Sequence, residues 1–171
     1  PAIRPAVQGT GAHADAFRKI LGAWFRNLSD TNELQQVAFL VTQMTIKEAL
    51  PAMRRAVTSP GSPVYLKAQA VGAIAKLGGK EELAVLQSLL ADETTIQPNR
   101  FPKMDLQLRD VALAMCVTVT GQDHKAYGYE LQQPLNDQIK YQYWTFAFKS
   151  VEKRTEGFKK WDEWVKAQKK K

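Results

Sequence analysis

The sequence predicts an all-α fold of short helices stacked in pairs and closed by an aromatic C-terminal segment. Three observations predict it. Apolar residues recur at helical spacing through most of the chain, short Pro-, Gly- or Ser-bearing breaks interrupt them, and two stretches repeat one another. No convincing strand pattern precedes residue 140. At 171 residues the chain reads as one domain, large enough to bury a core of its own.

Residues 1–12 (PAIRPAVQGTGA) carry Pro and Gly without periodicity and read as a lead-in linker. A helix begins near Asp15, with Phe17, Ile20, Leu21, Trp24, Phe25 and Leu28 on one stripe and Arg18, Lys19 and Arg26 opposite. Ser29-Asp30-Thr31-Asn32 breaks it and supplies caps for the next helix, Glu33 to Met44, which turns Leu34, Val37, Ala38, Leu40 and Val41 inward. Ile46 to Val57 follows, with Pro51 near its first turn, where a missing N–H costs little. Ser59-Pro60-Gly61-Ser62-Pro63 is a firm break. Tyr65 to Leu77 is an Ala-rich helix ended by Gly78-Gly79, and Lys80 to Ala91 is another, with Leu83, Leu86, Leu89 and Leu90. Glu93 to Lys103 (ETTIQPNRFPK) reads as an irregular excursion with two prolines, and Asp105 to Thr120 as a helix ended by Gly121.

The internal repeat is direct. LKAQAVGAIAKLG (66–78) aligns with LRDVALAMCVTVT (108–120), placing Lys67 on Arg109 and Ala70 on Ala112. Their partner helices align too, KEALPAMRRAV (47–57) on KEELAVLQSLL (80–90), and the 93–103 excursion accounts for the longer spacing of the second unit. The repeats then run 13–46, 47–79 and 80–121 within one domain, 13–168, whose cap is 122–168 and whose basic tail is 169–171. The run Val111 to Val117 is apolar nearly all round, so its helix must be covered on more than one side, as stacked helix pairs do.

The unit ALPAMRRAV, turn, YLKAQAVGAIAKLGG resembles a HEAT repeat. Its first helix bears Leu and Pro; its second has a basic residue followed three positions later by Ala and ends in Leu-Gly. Where that family's inter-helix turn carries an aspartate, Pro63-Val64-Tyr65 stands here. The resemblance implies a right-handed α-α superhelix of the armadillo-like class. RDVALAMCVTVTGQD with Tyr127-Gly128-Tyr129 and the W-x-x-W of Trp161 and Trp164 is also similar to HEAT-like end domains of large bacterial proteins. That resemblance implies an architecture and no particular activity.

Charge divides the chain. Of the net +7, residues 149–171 carry nine Lys or Arg against four acids, while residues 1–148 carry fifteen against thirteen. A uniformly basic nucleic-acid surface is therefore not expected. No apolar run approaches the ~18–20 residues of a membrane span. The chain starts at Pro1 rather than Met, which reads as a processed chain or a piece of a larger protein.

Candidate chemistry is sparse. Cys116, with His124 eight residues on, could be a thiolate and its base. Its setting in an apolar helix instead makes it a small packing residue with a raised pKa. Asp123 follows a Gly-ended helix and reads as an N-cap. Two histidines (His13 and His124) and one cysteine supply a zinc site poorly, and neither Asp105 with Asp110 nor Asp92 with Glu93 makes an acid–base pair. We expect no catalytic, cofactor-binding or metal-binding residues. Arg54, Arg55, Lys67 and Arg109 could form a ridge, paired with acids such as Asp105 and Asp110, or contacting phosphates by resemblance to HEAT-like DNA glycosylases.

YQYWTFAFKS (141–150) alternates Trp144, Phe146 and Phe148 as a short extended piece would. Phe158, Trp161, Trp164 and Val165 stripe a final helix. With Tyr127 and Tyr129, these aromatics form a cap on the last repeat or a basic aromatic surface. The expected function is a non-enzymatic protein–protein interaction or scaffolding module, with Asn99, Arg100 and Phe101, exposed between two prolines, and the basic residues above as partner contacts. The alternative is a nucleic-acid-binding domain using the same basic residues and the C-terminal aromatics.

Overall fold

The computed structural model describes residues 12–28, 30–101, 104–137 and 139–169; for 12, 44 and 97–101 it describes the backbone alone. The chain is predominantly helical: α1 (Ala12–Asn27), α2 (Thr31–Met44), α3 (Leu50–Thr58), α4 (Val64–Gly78), α5 (Leu83–Ser88), α6 (Leu108–Val119) and α7 (Val151–Gln168).

Local chemistry explains the helix ends. The Asp30 carboxylate accepts from the Asn32 and Glu33 amides at 2.9 Å and starts α2. Pro51 sits in the first turn of α3, where it interrupts no helical hydrogen bond. Gly79 at φ 61° closes α4, a backbone angle that favours glycine. Several boundaries differ from expectation. The segment expected as one helix from Ile46 is a 3-10 turn, Lys47–Ala49, followed by α3, and the helix expected from Lys80 is a 3-10 turn, Gly79–Glu82, followed by the short α5. Helix α6 begins at Leu108 rather than Asp105, because Gln107 and Asp110 cap it reciprocally and Met104–Gln107 is a strand.

The expectation of no strand before residue 140 is corrected. Within the excursion, β1 (Thr95–Phe101) pairs antiparallel with β2 (Met104–Gln107), Thr95 facing Gln107 and Phe101 facing Met104. The register shifts between Gln97 and Phe101, around Pro98, where a strand tolerates a missing donor. Ile96 and Leu106 turn inward and are 2% exposed, but their sequence neighbours are polar and Pro98 interrupts the run, which leaves little period-2 signal. A second ribbon pairs β3 (Tyr129–Leu131) with β4 (Phe146–Phe148), Tyr129 facing Phe148.

Helix α4 is the centre of the packing, against α2 and α3 on one side and α6 on the other. Ala68, Ala70, Ala73 and Ala75 are buried there and let backbones approach. Every side chain from Val111 to Val117 is fully buried, which the all-round apolar run requires. The segment after β3 crosses α4 at Gly72, where an added Cβ would lie 2.0 Å from the Tyr141 carbonyl oxygen. On α6 the C-terminal aromatics close the core. Tyr129 stacks on Phe148 with centroids 4.2 Å apart, His124 on Phe146 at 4.6 Å and Trp161 on Trp164 at 4.8 Å. Burying side chains as large as Phe146 and Trp161 contributes about 2–3 kcal/mol each.

One buried ion pair ties α7 to α6. Arg154 donates through a terminal nitrogen to Asp110 Oδ2 at 2.7 Å and to the Asp105 carbonyl at 2.7 Å, and the Tyr129 hydroxyl donates to the Asp110 carbonyl at 2.6 Å. The side chain of Asp110 is 1% exposed and that of Arg154 10%. Asp110 Oδ1 and Arg154 Nε have no hydrogen-bond partner among the described residues, so one arm of the fork is made and the other is not.

Candidate functional site

The outer face of α2 holds an open groove. Its inner face buries Val37, Ala38 and Val41 on the core. The opposite side carries Asn32, Gln35, Gln36, Phe39 and Leu40, which with Gln69 of α4 line a groove of about 570 Å³. Phe39 and Leu40 are each 48% exposed, a large apolar area left to solvent on adjacent residues. Leu40 was expected to face the core; the core-facing arc of α2 is narrower than its apolar stripe, so Leu40 falls outside it. The same holds for Ile20 and Trp24, which α1 leaves exposed.

Around the two apolar residues stand four carboxamides, each able to donate and accept. The Gln69 Oε1 atom is buried with no hydrogen-bond partner among the described residues. No charged side chain is among the described residues that line the groove. Two turns beyond Gln69 on the same face of α4, Lys76 donates to the Thr42 carbonyl of α2. The Lys76 ammonium lies 6.0 Å from the Tyr141 ring centroid and that of Lys140 lies 5.3 Å from it. Lys140 also pairs with Asp137 at 2.6 Å. Burial lowers the Lys76 pKa below the ordinary lysine range, partly offset by Asp137.

The residues singled out from sequence have these places. Arg54 grips the buried Glu82 carboxylate, Nε to Oε2 at 2.8 Å, a hydrogen bond that raises the Arg54 pKa. Arg55 donates to the Phe25 and Arg26 carbonyls at 3.1 and 2.9 Å, satisfying the C-terminal end of α1. Lys67 is half-buried within electrostatic reach of Asp92. Arg109 donates to Gln107 at 2.8 Å and to Glu93 at 2.5 Å, with its guanidinium 5.5 Å from the Phe158 ring centroid.

Of the acids expected to partner this ridge, Asp110 lies within electrostatic reach of Arg109. Asp105 sits on a strand rather than in α6, and the Asp110 side chain turns inward to cap α6 and meet Arg154. Reasoning from sequence passed over Arg154, although one signal pointed to it: it shares a helical stripe with Phe158 and Trp161 in a helix whose other basic residues are lysines. Asn99, Arg100 and Phe101 lie in β1, and their side chains are outside the described residues.

Cys116 is buried, and burial pushes its thiol up to about 12. His124 Nε2 lies 3.1 Å from the Ala114 carbonyl oxygen and 3.0 Å from Thr118 Oγ1, and burial holds its pKa below the ordinary range. These contacts anchor a packed ring. Asp123 accepts from the Lys125 amide at 3.0 Å and starts the 3-10 turn His124–Tyr127. Tyr127, Tyr129 and Trp161 are buried, while Trp144 and Trp164 are half-buried against the core. Among the described residues no group of three or more His, Cys, Asp or Glu gathers around a point where a metal could sit, and no helix is long and apolar enough to cross a membrane. No protein-family model, curated protein or solved structure matches the chain.

Proposed function

We propose that this chain is a non-enzymatic protein-interaction module: a HEAT-like right-handed superhelix of paired helices that holds an extended segment of a partner protein in the α2–α4 groove. The observation that supports it best is the lining, four carboxamides around the exposed Phe39 and Leu40. Carboxamides match the donors and acceptors of a peptide backbone, and exposed aromatic and aliphatic side chains supply the anchor such interfaces need. In a superhelix of this kind α2 and α4 are the second helices of successive repeats, the elements that line an extended binding surface.

A phosphate-binding ridge has less support. Arg54, Arg55 and Arg109 each hold a partner within the chain, and Tyr127, Tyr129 and Trp161 are interior. The test is selection from a random dodecapeptide display library on the full chain, repeated with Phe39→Ser and Leu40→Ser. Losing either anchor should weaken selected peptides about tenfold or more. Matched Arg100→Ala and Phe101→Ala variants serve as controls; loss there with Phe39→Ser silent would move the contact to the β1–β2 hairpin. No selectable peptide, together with steeply salt-dependent affinity for duplex or single-stranded DNA, would end the proposal in favour of nucleic-acid binding.

A further inference from the structure

We infer that the α2–α4 groove selects an acidic peptide segment, in which an apolar residue seated on Phe39 and Leu40 is followed or preceded, about three positions away, by an Asp or Glu held by Lys76 and Lys140. The inference rests on the groove being the peptide site and adds the chemistry of its occupant.

Three observations carry it. The groove proper is lined by uncharged side chains, so charge preference must come from its ends. Lys76 projects from the same face of α4 as Gln69, seven residues further on. That separation is about 10 Å along the helix, the length of roughly three residues of an extended peptide, which would run on the α2 side of the 139–143 segment that crosses α4 at Gly72. Lys140 joins it over the same Tyr141 ring, and the carboxylate it meets, Asp137, is 93% exposed and can be displaced by a better-shielded one. Lys76 spends one of its three donors on the Thr42 carbonyl, which fixes the ammonium and leaves the other two for a ligand.

The test uses the same dodecapeptide selection, followed by fluorescence anisotropy with the best peptide and with its Glu→Gln or Asp→Asn counterpart. The expected result is enrichment of an acid three positions from an apolar residue. Replacing the acid should cost about fivefold in affinity at low salt, and less as salt rises. Lys76→Gln with Lys140→Gln should abolish that difference while leaving the uncharged peptide's affinity within about twofold. Peptides that require Phe39 yet show no preference for an acid would overturn this inference and leave the groove reading standing. So would an acid preference untouched by the two lysine variants. Peptides indifferent to Phe39→Ser would overturn both. Should Lys76→Gln fail to fold, the peptide-side exchange on the native chain decides alone.

Discussion

Replacing Gly72 by alanine sets two effects of opposite sign against each other. Inside a helix, Gly→Ala ordinarily stabilises by about 1 kcal/mol, because alanine loses less backbone entropy. At Gly72 the new Cβ would lie 2.0 Å from the Tyr141 carbonyl oxygen and 3.1 Å from its carbonyl carbon, and both are backbone atoms with no rotamer to escape into. The 139–143 segment would have to withdraw by roughly 1 Å or more to reach ordinary contact. Withdrawal loosens Tyr143, which is 8% exposed and meets Tyr65 edge-on, and the Thr145 hydroxyl bond to the Ile139 carbonyl at 2.9 Å. Forced overpacking costs about 1–3 kcal/mol, and each lost hydrogen bond about 1 kcal/mol more. The clash wins, with a net loss of about 1–3 kcal/mol, or a Tm lowered by roughly 3–10 °C in a chain of this size. Urea and thermal unfolding measure the loss, and hydrogen exchange of the amides at 141–143 locates it. Gly61, with nothing within 4 Å of an added Cβ, is the control, and Gly61→Ala should change stability little. A Gly72→Ala protein as stable as the native chain, with unchanged exchange at 141–143, would refute the crossing of α4 at this point.

Three further expectations follow from the packed interior. Asp110→Asn strands the buried Arg154 guanidinium and should cost about 3–5 kcal/mol in urea unfolding, with much of it recovered when Arg154→Met is added; a loss under about 1 kcal/mol would contradict the pair. Burial depresses the His124 pKa in the folded chain, so the unfolded chain takes up its proton first as pH falls. The stability His124 confers is complete above about pH 6.5 and declines below it, and a His124→Gln variant should show a flatter urea midpoint between about pH 5 and 7. Cys116, its thiol pushed up to about 12 by burial, should resist iodoacetamide in the native chain and react only as fast as urea exposes it.

Local signals were legible in sequence because local chemistry decides them. A cap within residues 29–32, Pro51 near a first turn, Gly79 and Gly121 past helix ends and Asp123 starting a turn each act through groups within a few residues. The Val111–Val117 run could be placed in the interior without knowing its neighbours, since no exposed helix is apolar all round. The β1–β2 pairing was illegible because Ile96 and Leu106 stand among polar neighbours and Pro98 interrupts any alternation.

The candidate groove and the ion pair belong to the tertiary structure. Asp110 and Arg154 are 44 residues apart, and which acid meets which base depends on how α7 lies on α6. The groove needs α2 beside α4, and its exposed residues were expected in part as core: periodicity shows that Leu40, Ile20 and Trp24 share an apolar stripe, but the width of the covered arc is set by neighbouring helices. Sequence by itself determined the helical class, several of the caps and the run that must be hidden on every side, because backbone hydrogen bonding and amphipathicity act over a turn or two. Packing decided which apolar residues stay uncovered and which charges meet, because those depend on surfaces brought together from distant parts of the chain.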